Sequence, residues 1–354
     1  MPVTHLAGAL CHHTDCTLRA SNSQHIAMRF NEYSSVSYSR DLGRVQVAER
    51  WRRIKECNYV PVKVANTRAD LGESLVWDER SGVLYFVDIS GGRINCLAPD
   101  GEVDCLYESA ARIGALALTD RGNLIFTEDA SVAIFDVPTR KVSQHSASVH
   151  PRSTYRFNDG ACDPQGRFVT GLMDEALSGL MDEALSGNTG ALFRFDWQLS
   201  DQVIHDDMAL PTGLAWSQDG HTVYFVDSAA RAIYRAEYLI EGRLGAVTLF
   251  AETPAELGRP DGLALDRDGG LWVCQYHGSC LLRYDRHGYL TDQVLMPVPC
   301  PTSCCFGGPG MNTLYISTAR YDMTPEDLHH YPDAGDLYAI RPEIGGVAKY
   351  SFKE

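Results

Sequence analysis

The stretch GLAWSQDGHTVYFVDS, residues 213–228, reads as two short strands joined by a tight turn. Asp-Gly tolerates the positive φ that a tight hairpin demands, and Val, Tyr and Phe fit a pleated, half-buried surface. The phrase recurs as GALALTDRGNLIFTED (114–129) and GLALDRDGGLWVCQY (262–276). More worn copies are SLVWDERSGVLYFVDI (74–89), GACDPQGRFVTGLM (160–173) and SCCFGGPGMNTLYISTA (303–319). The six starts lie 40, 46, 53, 49 and 41 residues apart. A third strand follows each pair: RINCLA, SVAIFDV, GALFRFD, AIYRAEY, CLLRYDR and DLYAIR. Multi-stranded repeats with periods of about 40–50 residues are the blades of a propeller. The expected fold is therefore all-β, a six-bladed β-propeller. No segment holds a helical apolar period over three turns, which excludes a helical-repeat solenoid. VPVKVA (60–65) alternates like a strand. It is expected to pair near VAKYSF (347–352), closing the ring and protecting its edges.

The repeat region is taken as 59–354, the propeller domain, and residues 1–58 as an N-terminal extension. The extension has weak periodicity and is expected to be poorly ordered or partly helical, with a short helix over VAERWRRIKE (47–56). His12, His13, Asp15 and Cys16 within it read as chance neighbours rather than a metal site. GLMDEALS at 171–178 is repeated at once at 179–186. Loops accept insertions cheaply, so this tandem duplication is expected to bulge near one rim.

The formal charge is −15; residues 1–60 carry eight Lys/Arg against five Asp/Glu, leaving −18 for the rest. Such a field repels phosphate backbones, so nucleic acid is not an expected partner. No apolar run reaches the length of about 18 residues that a membrane helix needs, and no secretory signal stands at the N-terminus. Eleven cysteines with no CxxC pair fit reduced thiols in the cytoplasm better than a disulfide framework. Cys304 and Cys305 read as small core residues. The chain is expected to act as a monomer or weak homo-oligomer.

The residue before each repeat start occupies an equivalent place on the ring: Glu73, Ile113, Asp159, Thr212, Asp261 and Thr302. Three carboxylates at equivalent positions of a degenerate repeat call for an explanation. Blades converge on the axis, and carboxylates gathered there repel unless a cation or a proton lies between them. Hard oxygen ligands suit Ca²⁺, Mg²⁺, Mn²⁺ or Zn²⁺. Asp-Gly also makes turns in its own right, so for Asp159 and Asp261 the turn and ligand readings both stand on repeat logic alone.

Five phrases resemble the gluconolactonase/regucalcin (senescence marker protein) family: LGESLVWD (71–78), RFNDGACDPQGRF (156–168), GLAWSQDG (213–220), RPDGLALDRDGGLWV (259–273) and TSCCFGG (302–308). The resemblance implies a six-bladed propeller, one divalent metal ion at the channel mouth, and hydrolysis of sugar (aldono-) lactones. It implies Glu73 and Asp261 as metal ligands, Asp261 also as general base, Asn158 beside metal and substrate, and Arg156 as a substrate-binding residue. Two departures stand out. Thr212 takes the place of the family's Asn ligand; it is kept as a metal ligand, though its hydroxyl is shorter and a weaker donor than an amide carbonyl. The family's substrate-binding Glu falls in the duplicated segment, where Glu175 is the nearest candidate and Glu183 its twin in the second copy.

The expected activity is a metal-dependent lactonase that turns a sugar lactone into the aldonic acid. The alternative is a non-catalytic calcium-binding regulatory propeller, or a lactonase weakened by Thr212 and the duplication. No GxSxG elbow, P-loop or dinucleotide fingerprint is present, which argues against a serine esterase and against nucleotide chemistry. His277 in CQYHGS reads as a structural histidine.

Overall fold

Each repeat supplies alternating apolar strands too short to bury both faces alone, and the chain solves this by standing six sheets side by side. The computed structural model describes residues 55–56, 59–178 and 188–354. Two strands precede the repeats, β1 (Lys55–Glu56) and β2 (Val62–Ala65). The first blade holds β3 (Gly72–Asp78), β4 (Val83–Asp88), β5 (Arg93–Leu97) and β6 (Val103–Glu108). The second holds β7 (Leu116–Leu118), β8 (Leu124–Glu128), β9 (Ser131–Asp136) and β10 (Lys141–His145). The third holds β11 (Tyr155–Cys162), β12 (Phe168–Asp174), β13 (Gly190–Phe195) and β14 (Asp201–Met208), with the short helix α1 (Glu175–Ser178) after β12. The fourth holds β15 (Pro211–Trp216), β16 (Thr222–Asp227), β17 (Ala232–Glu237) and β18 (Thr248–Glu252). The fifth holds β19 (Arg259–Leu265), β20 (Leu271–Tyr276), β21 (Cys280–Tyr284) and β22 (Leu290–Leu295). The sixth holds β23 (Pro301–Gly307), β24 (Thr313–Thr318) and β25 (Leu337–Ile340), with helix α2 (Pro325–His330) between the last two.

Strands within each blade pair antiparallel in chain order, and the inner strands β3, β7, β11, β15, β19 and β23 touch their neighbours all the way round. The six-bladed propeller expected from the repeat is the fold observed. The core lies between blades: Phe157, Phe168 and Phe195 meet Ile125 and Ile134 between the second and third, and Trp272 and Phe306 meet between the fifth and sixth.

The ring is closed by β2, which adds to β25 as the outer strand of the sixth blade, Val62 facing Ala339. Closure by residues 60–65 is as expected, but the partner is 337–340, not 347–352. Residues 345–354 do something else. Arg267 N–H donates to Gly345 O, Gly346 N–H to Met311 O, Val347 N–H to Leu265 O, Phe352 N–H to Leu118 O and Lys353 N–H to Gly166 O. A ten-residue segment fastened to the sixth, fifth, second and third blades has to cross the ring. It does so at the far ends of the inner strands, with bridges to Thr119, Cys162 and Asp266.

The extension 1–58 and the second GLMDEALS copy lie outside the described residues, apart from Lys55–Glu56. That pair ends the stretch expected to be helical; it is a strand, parallel to β22. The eight cysteines among the described residues are unpaired, and all but Cys105 are buried. No described helix is long and apolar enough to cross a membrane.

Candidate functional site

Five of the six inner strands lose regular pairing at the residues that the repeat places at equivalent positions. The register shifts fall between Glu73 and Val76, Phe157 and Gly160, Thr212 and Leu214, Pro260 and Leu263, and Pro301 and Cys304. Such bulges re-aim side chains. Here they turn Glu73, Asn158, Asp159, Thr212 and Asp261 into the start of the central channel, all of them buried. In the second blade the strand begins only at Leu116, and the equivalent Ile113 is a buried apolar residue.

Gly213 shows why the local sequence is constrained. Its φ is +42°, and a Cβ there would stand 2.6 Å from the carbonyl oxygen of Asp261. A side chain would be strained and would push the two inner strands apart. Gly213→Ala is expected to destabilise the fold by about 1–3 kcal/mol from backbone strain alone. A denaturant midpoint equal to wild type would refute that.

The electrostatics follow from burial. The carboxyls of Glu73 and Asp261, from blades one and five, are in hydrogen-bonding contact. Burial, then the charges of Asp261 and Asp159, push Glu73 well above the usual carboxylate range, against weaker opposition from Ser74 N–H and Arg156. Burial likewise raises Asp261, although Thr212 Oγ1 donates to its Oδ1 at 2.8 Å. Asp159 is raised by burial too, opposed by Lys349 and by the backbone N–H groups of Gly160 and Gly213. Two buried carboxyls in contact cannot both ionise without a positive partner. Arg156 is committed elsewhere: its Nε donates to Glu175 Oε1 at 2.9 Å, and its Nη1 to Asn158 Oδ1 at 2.8 Å and Phe157 O at 3.2 Å.

Among the described residues no group of three or more His, Cys, Asp or Glu is arranged to hold a metal ion. The central donors are instead a carboxyl pair, Glu73 and Asp261, flanked by the neutral oxygens of Asn158 and Thr212. This all-oxygen set, short of positive charge, fits a hard divalent cation completed by water. Thr212 Oγ1 spends its proton on Asp261, which leaves its lone pairs as its donor capacity.

The structure brings Glu73, Arg156, Asn158, Glu175, Thr212 and Asp261 into one polar cluster. Glu175 follows β12 and accepts from Arg156; its twin Glu183 lies outside the described residues. Two residues were missed in the sequence. Lys349 reaches up from the crossing segment to donate to Leu75 O at 3.0 Å, two residues from Glu73. Arg112 makes an ion pair with Glu175. Lys349 lies outside the repeat, and the places equivalent to Arg112 in the other blades hold Gly72, Asn158, Pro211, Pro260 and Pro301, so no shared charge marks it.

A model of the SMP-30/gluconolactonase/LRE-like region matches residues 71–320. The chain belongs to this family. Its relatives within the SMP-30/gluconolactonase/LRE-like family include the L-arabinolactonase of Azospirillum brasilense, 31% identical over 82% of this chain and 94% of that one. The 6-deoxy-6-sulfogluconolactonase of Pseudomonas putida is 32% identical over 80% of this chain and 94% of its own. The regucalcin of Xenopus laevis is 30% identical over 80% and 94%. Among solved structures, the regucalcin of Agrobacterium tumefaciens, described as a calcium-binding protein, superposes with a TM-score of 0.76 at 20% identity, over 84% of this chain and 98% of its own. A luciferin-regenerating enzyme superposes with a TM-score of 0.74 at 24% identity, over 84% and 100%. At these identities the superpositions speak to the fold alone.

Proposed function

We propose that this chain is a divalent-cation-dependent hydrolase that opens an aldonolactone to the aldonic acid. The observation that carries the reading is the buried contact between Glu73 and Asp261, with Arg156 and Asn158 beside it. Relatives named as lactonases support the substrate class. Glu73 and Asp261 would hold the cation, with Asn158 and Thr212 as neutral oxygen donors. When bound, the cation would act as a Lewis acid on the carbonyl group of the lactone.

The chain's own residues supply the rest. Water adds to the carbonyl carbon, the ring C–O bond breaks, and the ring oxygen leaves as a hydroxyl after taking a proton. Asp261 accepts the proton of the attacking water, which asks for hydrogen-bond reach to that water. Arg156, rigid and planar, donates to lactone or hydroxyl oxygens, and Glu175 accepts from sugar hydroxyls. Arg156 also weighs against a purely cation-binding role, because a buried guanidinium beside a cation site weakens cation binding unless it serves a second ligand.

The test pairs cation binding with turnover. Thermal melting with Ca²⁺, Mg²⁺, Mn²⁺ and Zn²⁺ is expected to raise Tm for at least one ion; at 100 times Kd, binding adds about 2.7 kcal/mol. Glu73→Gln is expected to abolish that shift. A panel of gluconolactone, galactonolactone, arabinonolactone and xylonolactone then shows acid release above spontaneous hydrolysis. Cation binding with no release from any lactone would leave the non-catalytic reading in its place.

A further inference from the structure

We propose that Arg112 is a positioning residue of the site: it pins the Glu175 carboxylate so that Glu175 and Arg156 form one fixed polar edge against which substrate hydroxyls are oriented. The inference rests on the reading of the site as a lactone-binding centre.

Arg112 sits in the loop from β6 of the first blade to β7 of the second, and its donors go to three separate chain segments. Nε donates to Asp129 Oδ1 at 2.7 Å, Nη2 to Ser153 O at 2.7 Å, and Nη1 to Glu175 Oε2. Glu175 presents its other oxygen to Arg156 Nε, and Arg156 reaches Asn158 Oδ1. Asp129, Arg112, Glu175, Arg156 and Asn158 thus form one unbroken run of polar contacts from the rim to the central cluster.

The backbone repeats the connection. Asp129 has a left-handed φ of +46°. Its N–H donates to Arg112 O, and its carbonyl accepts from Phe157 N–H, the residue between Arg156 and Asn158. The turn that anchors Arg112 is therefore also fastened to the strand that carries Arg156. Burial would lift the Glu175 carboxyl, but the two guanidiniums outweigh it and hold the group below its ordinary range. It stays an ionised acceptor, which is what a hydroxyl-orienting group requires.

The side chains of Arg112 and Glu175 are 24% and 31% exposed. Pairs this open to water add little to stability, so the effect of losing Arg112 falls on geometry. A lysine cannot replace it, because one ammonium point charge does not span three acceptors set in a fork.

The test is steady-state kinetics on the best lactone for wild type, R112A, R112K, E175Q and R112A/E175Q, with calorimetric binding of the product aldonate. For R112A, KM is expected to rise about tenfold while kcat changes less than about threefold, and aldonate affinity to fall in the same ratio. R112K is expected to stay closer to R112A than to wild type. Because Arg112 acts through Glu175, the double variant should be no worse than E175Q alone. If R112A does not accumulate as folded protein, R112K carries the same comparison. Wild-type KM in the Arg112 variants, or defects that multiply in the double variant, overturns the inference while the lactonase reading stands. A wild-type chain that opens no lactone overturns both.

Discussion

Asp261→Asn is expected to lower kcat/KM for the best lactone by about 10³-fold, while the protein keeps its fold. Asparagine preserves the shape of the side chain and an oxygen to accept from Thr212, which lies 2.8 Å away. It removes the negative charge and the proton acceptor together. Loss of a general base alone costs about 10²–10⁴-fold, and loss of one of two carboxylates facing a cation adds to that. Stability moves the other way. Asp261 is buried, Asp159 opposes its charge, and its own charge opposes that of Glu73, while Glu73 acts on Asp261 as a hydrogen-bond partner. Replacing one member of a repelling set by a neutral isostere relieves the repulsion, so Tm is expected to hold or rise. Acid-release rates and a thermal melt on the same preparation check both halves. Retained activity would remove Asp261 from the chemistry, and a collapse in Tm would make it a structural residue.

The parts of the fold legible in the sequence are those where burial imposes a pattern. The first three strands of each blade pack between neighbours, so β4, β16 and β20 read as runs of Val, Leu, Tyr, Phe and Trp. The outer strands face water and carry no such signal; KVSQH in β10 and DQVIHDDM in β14 are exposed along most of their length. VAKYSF alternates as a strand does, yet its residues are shared among several blades. An alternating pattern reports two faces and says nothing of how many partners those faces meet. At the site, the repeat made Glu73, Asp159 and Asp261 comparable as equivalent positions, but it left the turn and ligand readings of Asp159 and Asp261 both standing, and the ligand roles of Glu73 and Asp261 came from the family resemblance. Glu175 was ambiguous for a physical reason: two identical octapeptides carry the same local information, so the sequence cannot choose between Glu175 and Glu183. Lys349 acts from a crossing segment with no counterpart in other blades, and Arg112, one residue before the ring position Ile113, acts on Glu175 after β12 of the neighbouring blade.

Phe352→Ala is the complementary expectation, a large loss of stability from outside the repeats. Phe352 is fully buried in the cluster between the second and third blades, with Phe157, Phe168 and Phe195. Truncating a buried phenylalanine costs about 3–5 kcal/mol, part transfer and part cavity. For a domain of this size the fall in Tm is about 5–8 °C. Here the loss has leverage. Phe352 N–H donates to Leu118 O, and Phe352 O accepts from Asp120 N–H. Glu354 accepts from Thr119 Oγ1 at 2.8 Å. Phe352 is the apolar anchor of the segment that carries Lys349, and Lys349 opposes the burial that raises Asp159 beneath the carboxyl pair. Loosening the anchor withdraws that cation from the channel, so Phe352→Ala is expected to change affinity for the divalent ion as well as lower Tm. Phe352→Leu, which keeps most of the apolar volume, should recover both together. Recovery of Tm without recovery of ion affinity would mean that the crossing segment stabilises the ring but does not tune the site.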